Sequence, residues 1–291
     1  MNNKILLSVI IGVQYAQDNL DAILLNLNPA AYVDVEFLFC ATDADPDTLN
    51  IISAFNNCHL VTCKNGRLIP EMWGDGIKVA KSEKVALSTA HCIPAKNWVD
   101  ILLATDMEQY PGVGGAIEND ATSSPKDWAI FFLRYISFSP PQQSREIHEI
   151  AADNAVYRRD DILEHDDLLA KGFWEPSFHS RFRNKGMALF LSSDLVVTHR
   201  NCYTAGQFFK QRLAHGKEFG LARVREISTV KRLLLIVLSP ALPILFLKKI
   251  ILSVKQHGAH KSKLLMATPW LLVFLLAWGL GEARGYLSMK K

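Results

Sequence analysis

Short apolar runs alternate with stretches of helical periodicity along most of the chain. Ile5 to Val13 is a β-branched run that reaches Gly12 almost unbroken, the pattern of a strand buried on both faces of a parallel sheet. Asp18 to Leu27 sets Leu20, Ile23, Leu24 and Leu27 at helical spacing and stops before Pro29. Val33 to Cys40 reads as a second strand. Asp43 to Thr48 reads as an acidic turn that caps a helix through Ala54. His59 to Cys63 is a third strand, Met72 to Ala80 a helix, and Lys84 to Leu87 a fourth strand. Strands alternating with helices in this way predict an α/β fold with a Rossmann-like sheet.

The fourth strand has an unusual end. Val85-Ala86-Leu87 gives way to Ser88-Thr89-Ala90-His91-Cys92, then Ile93-Pro94 stops the run and a helical pattern with Trp98, Ile101 and Leu102 begins. Open α/β sheets bind ligands at such carboxyl ends, although a turn with one incidental histidine has the same pattern. Further on, the glycine-rich Gly112 to Ile117 reads as a strand with a close backbone approach. Asp127 to Phe138 is an aromatic-rich helix ended by Ser139-Pro140-Pro141. Ala151 to Arg159 is a strand leading into a helix at Asp160, and Glu175-Pro176 opens another helix. Ala188 to His199 gives a last strand, and Thr204 to Ala222 a helix.

After Arg232 the pattern changes. Leu233 to Leu247 is an apolar run broken by Pro240 and Pro243, and Leu264 to Leu280 is a second. Both approach the roughly 17–25 residues that cross a bilayer, so a membrane hairpin or a re-entrant pair is expected, with two buried core helices as the other reading. Orientation from charge is ambiguous. Arg223, Arg225, Lys231 and Arg232 precede the pair, Arg284, Lys290 and Lys291 follow it, and Lys255, Lys261 and Lys263 lie in the connection. A basic connection disfavours translocation and leaves a shallow pair in one leaflet open.

Composition narrows the class. The 291 residues are 49% hydrophobic and 21% charged, which excludes a disordered chain, and a net charge of +3 gives no bulk argument for a nucleic-acid partner. Five cysteines without a CxxC pair fit neither a disulfide framework nor a zinc knuckle and suit a reducing compartment. The apolar start carries a single lysine and no small-x-small site, so it reads as a strand rather than an export signal, and the N-terminal region is expected in the cytosol.

Several segments, in order, resemble family-2 glycosyltransferases of the GT-A fold. They are Leu7-Ser8-Val9-Ile10-Ile11 with the turn Gly12 to Tyr15, Gly76 to Ala80 with Ser82-Glu83, and Val113 to Asn119. Asn154 to Arg159, Gly172-Phe173-Trp174-Glu175, His199, Gln211-Arg212 and Trp278 to Tyr286 follow. The likeness runs from about Ile5 to about Arg225. It implies a GT-A domain over 1–225 and membrane-associated helices over 226–291. It also implies a nucleotide-sugar donor, a membrane lipid or lipid-linked glycan acceptor, and a membrane location with the catalytic domain facing the cytosol. By the same resemblance Glu175 is the catalytic carboxylate, and Gln14, Tyr15, Asp43, Thr89, His91, Asn154, Gln211 and Arg212 contact the donor.

Three positions depart from the family pattern. Thr89-Ala90-His91 stands where an Asp-x-Asp motif usually holds a divalent metal. A hard cation needs oxygen ligands, so a metal cofactor is not supported by the motif, and His91 is its one candidate ligand. Glu175-Pro176 replaces an acidic pair that ends in aspartate. Cys40-Ala41 replaces the acid after the second strand, with Asp43 nearby. Sugar transfer requires a carboxylate to take the acceptor proton and positive charge for the departing nucleoside diphosphate. Glu175 fits the first role, and equally fits helix capping. Arg212, His215 and Lys217 fit the second, or a solvated face beside a membrane. Asn154 fits either a sugar contact or a turn cap. A nucleotide-sugar-binding or partner-binding relative without catalysis is the alternative to an enzyme.

Overall fold

The structure, a computed structural model, describes residues 4–42, 46–224 and 227–288. Its strands are β1 (Leu7–Val13), β2 (Val35–Ala41), β3 (Cys58–Thr62), β4 (Lys84–Thr89), β5 (Cys92–Pro94), β6 (Gly112–Asn119), β7 (Arg145–Ile147), β8 (Asn154–Arg158) and β9 (Leu189–His199). The α-helices are α1 (Leu20–Leu27), α2 (Pro46–Ser53), α3 (Ile69–Val79), α4 (Trp98–Ala104), α5 (Pro125–Tyr135) and α6 (Arg159–Leu163). They continue with α7 (Asp166–Leu169), α8 (Glu175–Asn184), α9 (Ala205–Val224), α10 (Thr229–Leu238), α11 (Leu242–His257) and α12 (Lys261–Leu287). Two compact units result, Met1–Asp120 with Phe138–Cys202, and Ala121–Ser137 with Tyr203–Lys291.

The first unit holds all the described strands in one sheet of order β3-β2-β1-β4-β8-β6-β9-β5, with β7 paired to β9. β1 pairs in parallel with β2 and β4, β2 with β3, and β6 with β9. β8 runs antiparallel between β4 and β6. The carboxyl ends of six strands therefore share one edge of the sheet, together with the amino ends of β8 and β5. β1 and β2 are buried along their whole length, which explains their unbroken apolar runs. Helix α3 lies over them, and Trp73, Met72 and Ile77 join Ile10, Leu87 and Tyr157 in one core.

The main strands and helices fall where the apolar pattern puts them. Two short strands do not. Cys92–Pro94, read as the stop after the fourth strand, is β5, antiparallel to β9. Proline lacks an N–H and is tolerated there because β5 ends the sheet order. The polar patch after Pro141 contains β7, also paired only to β9. β6 and β9 slip register between Gly115 and Ala116. A Cβ on Gly115 would lie 2.0 Å from the Leu195 carbonyl oxygen, so only glycine fits this irregularity.

The second unit is helical. Its boundary differs from the division read at residue 225, because α9 packs with the tail rather than ending the first unit. The reason is glycine. A Cβ on Gly216 would sit 2.4 Å from the Trp278 carbonyl oxygen, and one on Gly285 2.4 Å from that of Lys217. The spacing Gly216-x-x-x-Gly220 on α9 meets Gly281-x-x-x-Gly285 on α12, so the two backbones touch. Glu282, only 1% exposed, sits in this seam. It accepts from Trp278 Nε1 at 3.0 Å, from Arg223 Nη1 at 3.2 Å, and from the Tyr286 hydroxyl, so its buried charge is paired. Thr229–His257 and Lys261–Leu287, each with an 18-residue stretch of mean hydropathy 2.1 and 1.9 respectively, are long and apolar enough to cross a membrane.

Candidate functional site

The carboxyl edge of the sheet gathers the polar residues that its strands deliver. β1 is followed by Gln14 and Tyr15. Tyr15 has φ +58° and a side chain 48% exposed, a left-handed conformation that non-glycine residues seldom adopt. Gln14 Nε2 donates to the Arg67 carbonyl at 3.1 Å. His91 is fully buried behind this turn. Its Nδ1 accepts from the backbone N–H of Cys202 at 3.3 Å, which assigns the proton to Nε2, and Nε2 donates to the Gln14 carbonyl at 2.9 Å. His91 thus ties the β1 turn to the segment after β9. Asn19 adds a second tie, donating to the carbonyls of Ala90 and Arg200 at 2.9 and 3.1 Å.

Two carboxylates are tied to the segment between Ala152 and the end of β4. Asp153, 4% exposed, accepts at its carbonyl from Ser88 Oγ at 3.0 Å and at Oδ1 from Thr89 Oγ1 at 3.4 Å. Glu175, half-buried, accepts at Oε1 from the backbone N–H of Ala152 at 3.2 Å. The segment leading to Glu175 is fixed by backbone. Gly172, at φ +103°, packs on the start of α3, and the N–H of Phe173 donates to the Pro70 carbonyl at 2.7 Å. Pro176 then sets the first turn of α8. Asp153 is not among the residues that the sequence singles out. It lies 64 residues from Thr89, and the sign available is an acid at the entry of the Asn154 strand.

Behind the carboxylates runs a hydrogen-bonded chain. The Tyr157 hydroxyl lies 3.1 Å from His179 Nε2, and His179 Nδ1 lies 2.6 Å from Glu149. Burial pushes His179 below its ordinary value, so the neutral ring donates from Nδ1 and accepts the tyrosine proton at Nε2. Burial by itself would raise Glu149, but the hydrogen bond from His179 and the Arg183 guanidinium outweigh it and lower the group. Burial, then the charges of Glu175, Glu149 and Asp153, pushes the Tyr157 phenol well above its ordinary value. His179 is one turn beyond Glu175 on α8, so this chain anchors the helix that carries Glu175.

The other residues singled out from the sequence are placed as follows. Asn154 is fully buried, and its amide spans the strands. Nδ2 donates to the carbonyls of Ala116 and Leu195 at 2.9 and 3.1 Å, and Oδ1 accepts from Trp98 Nε1 at 2.8 Å. Gln211 and Arg212 belong to the second unit, where Arg212 Nε donates to Gln211 Oε1 at 2.8 Å and its guanidinium lies over the Phe208 and Trp278 rings. Asp43 lies outside the described residues. Among the described residues no cluster of three His, Cys, Asp or Glu side chains can hold a metal ion. Both ring nitrogens of His91, the one candidate ligand at the end of β4, are bonded to backbone groups, so it does not fit the divalent cation of the family pattern. A separate hollow of about 580 Å³, lined by Lys4, Lys84, Asp106 and Arg158 among others, lies at the amino ends of β1 and β4, away from these groups.

The architecture is similar to that of the mannosyltransferase PcManGT from Pyrobaculum calidifontis, solved in complex with GDP-Man and Mn2+. The match covers 97% of this chain and 88% of that one, at 12% identity and a TM-score of 0.55. S. aureus TarS 1-349 aligns over 72% of this chain and 63% of its own, at 14% identity and a TM-score of 0.48. The same TarS portion with UDP-GlcNAc aligns over 72% and 64%, at 12% and 0.47. This chain thus spans less than two thirds of either TarS structure. No protein-family profile and no curated protein sequence matches the chain. The fold is a mixed α/β sheet flanked by helices, shared with the mannosyltransferase, together with two apolar C-terminal helices.

Proposed function

We propose that this chain is a glycosyltransferase working at a membrane surface with its catalytic unit in the cytosol. It would move a sugar from a nucleotide-sugar donor to a lipid-linked or polysaccharide acceptor. The observation that carries the reading is the anchoring of Glu175 to the Ala152 N–H, at the carboxyl edge of the sheet where Asp153 bonds the end of β4. In the proposed reaction Glu175 takes the acceptor hydroxyl proton as the acceptor oxygen bonds to the anomeric carbon. The bond from that carbon to the diphosphate oxygen breaks, and the nucleoside diphosphate leaves. The Tyr15 turn and the Thr89 end of β4 are the proposed donor contacts, with His91 and Asn154 bracing them from inside. Free cysteines throughout the described residues support a cytosolic unit, and the two apolar helices support membrane attachment.

A second reading, a nucleotide-sugar binder without turnover, is favoured by Pro176 standing in the acidic pair and by the lack of a metal cluster among the described residues. Purified full chain, incubated with a panel of nucleotide sugars, decides. Release of nucleoside diphosphate from one donor is the expected result. A thermal shift without release by any donor leaves the binder, and neither shift nor release with any nucleotide sugar overturns both readings.

A further inference from the structure

We infer that α10 to α12 form an in-plane platform for a single leaflet of anionic lipid, rather than a pair of spans. The inference rests on the membrane attachment in the proposed function, not on its chemistry.

The first ground is what lies along α12. The helix turns one stripe inward, with Ala267, Leu271, Phe274, Gly281 and Gly285 buried, and exposes another of Leu265, Leu272, Leu276 and Leu280. The inward stripe is covered from end to end. Near its start Lys263 lies over the Trp128 ring of α5 at 5.7 Å. From Phe274 onward α9 runs beside it, with the Phe208 and Phe274 rings 4.7 Å apart and the glycine seam following. Helix α9 exposes Lys210, Lys217 and Glu218 to water. Were α12 to cross a bilayer, these charges would enter the hydrocarbon beside it. The part of α12 ahead of α9, Lys261 to Val273, rises about 20 Å, short of the roughly 30 Å core. A helix with charged, water-facing partners on one side and leucines along the other fits the boundary between water and lipid.

The second ground is charge. Residues 227–281 contain seven lysines and arginines and no aspartate or glutamate. Lys248 and Lys249 sit in the middle of α11, exposed, with exposed Ile244, Leu245 and Leu252 around them. Within the helical stretch Thr229–His257 the uncharged run between Arg232 and Lys248 is about 15 residues, or about 22 Å, less than the roughly 30 Å core. Lysines that emerge between lipid-facing leucines reach headgroups by extending their stems, and a surface with cations alone selects anionic lipid. The partner is therefore a leaflet rich in acidic phospholipid, and not a second copy of the chain, whose matching face would repel this one.

Flotation and label depth test this on the full chain. The chain should float with vesicles of phosphatidylcholine and phosphatidylglycerol at least tenfold more efficiently than with phosphatidylcholine alone, and Lys248→Gln with Lys249→Gln should lessen that preference. Nitroxide labels on Leu265→Cys, Leu272→Cys and Leu280→Cys, all at exposed positions, should report equal depth. A spanning α12 would instead spread Leu265 and Leu280 over about 22 Å of depth. Graded depth, or equal flotation with both vesicles, overturns the platform while leaving membrane attachment standing. No flotation with either vesicle, with a dimer in solution, removes the membrane reading itself and assigns the face to a second copy. Donor turnover, measured separately in detergent, is unaffected by any of these outcomes.

Discussion

Glu175 Oε1 accepts at 3.2 Å from the backbone N–H of Ala152, the residue that precedes the buried Asp153. The bond fixes the direction of a side chain at the first position of α8. Glu175→Gln keeps the shape and removes the basicity. If Glu175 takes the acceptor proton, turnover should fall by about 10²–10⁴ while donor affinity and melting temperature hardly change. If it only caps α8, turnover persists and the melting temperature drops slightly.

The place of a metal motif is filled by a brace. Both ring nitrogens of His91 bond to backbone, at Gln14 and Cys202. His91→Ala removes two hydrogen bonds to half-buried backbone groups, each contributing about 0.5–1.5 kcal/mol, so its melting temperature should drop. Mn2+ should not restore it. In wild type, a chelator should leave nucleoside diphosphate affinity unchanged by isothermal titration. Loss of that affinity, with rescue by Mn2+, would refute the brace as the sole role.

The main strands were legible along the chain because β1, β2 and β4 are buried on both faces and write themselves as unbroken apolar runs. β5 and β7 were not, since three residues at a margin of the sheet carry no period. Glu175 was found through resemblance and through the proline after it. Asp153 could not be, because its meeting with Thr89 depends on β8 running antiparallel between β4 and β6, a pairing that local pattern does not express. The seam of α9 with α12 was written plainly, as two small-residue spacings of four, but glycine inside a helix reads first as a weakness.

Acid should destabilise the first unit through the chain behind Glu175. His179 is neutral in the fold, its value lowered by burial beneath the ordinary 6.5. Below pH 6.5 the unfolded state takes a proton that the folded state resists, so stability falls as pH drops toward the folded value. Glu149, lowered from 4.5, adds a loss of the same sign at more acidic pH. His165 is lowered by burial as well and contributes in the same window. The melting temperature should decline from pH 7 to pH 5. His179→Asn should start lower and decline less steeply. An identical slope in the variant would remove His179 from the account.

The glycine seam sets Gly281 of α12 apart from a glycine at the open start of α9. A Cβ on Gly281 would lie 2.2 Å from the Leu213 carbonyl oxygen, a backbone atom that cannot turn aside. Gly281→Ala must therefore push α12 away from α9, and overpacking of this kind costs about 1–3 kcal/mol. The same movement would loosen the Arg223 and Trp278 bonds around Glu282, whose charge has no water to fall back on. A Cβ on Gly206, in the first turn of α9, would meet nothing within 4 Å. There alanine relieves only the backbone entropy of glycine and should be neutral or stabilising by about 0.5–1 kcal/mol. Melting of the full chain in detergent compares the two. Gly281→Ala should melt below wild type and Gly206→Ala at or above it. Equal melting would mean that α9 and α12 are not in backbone contact.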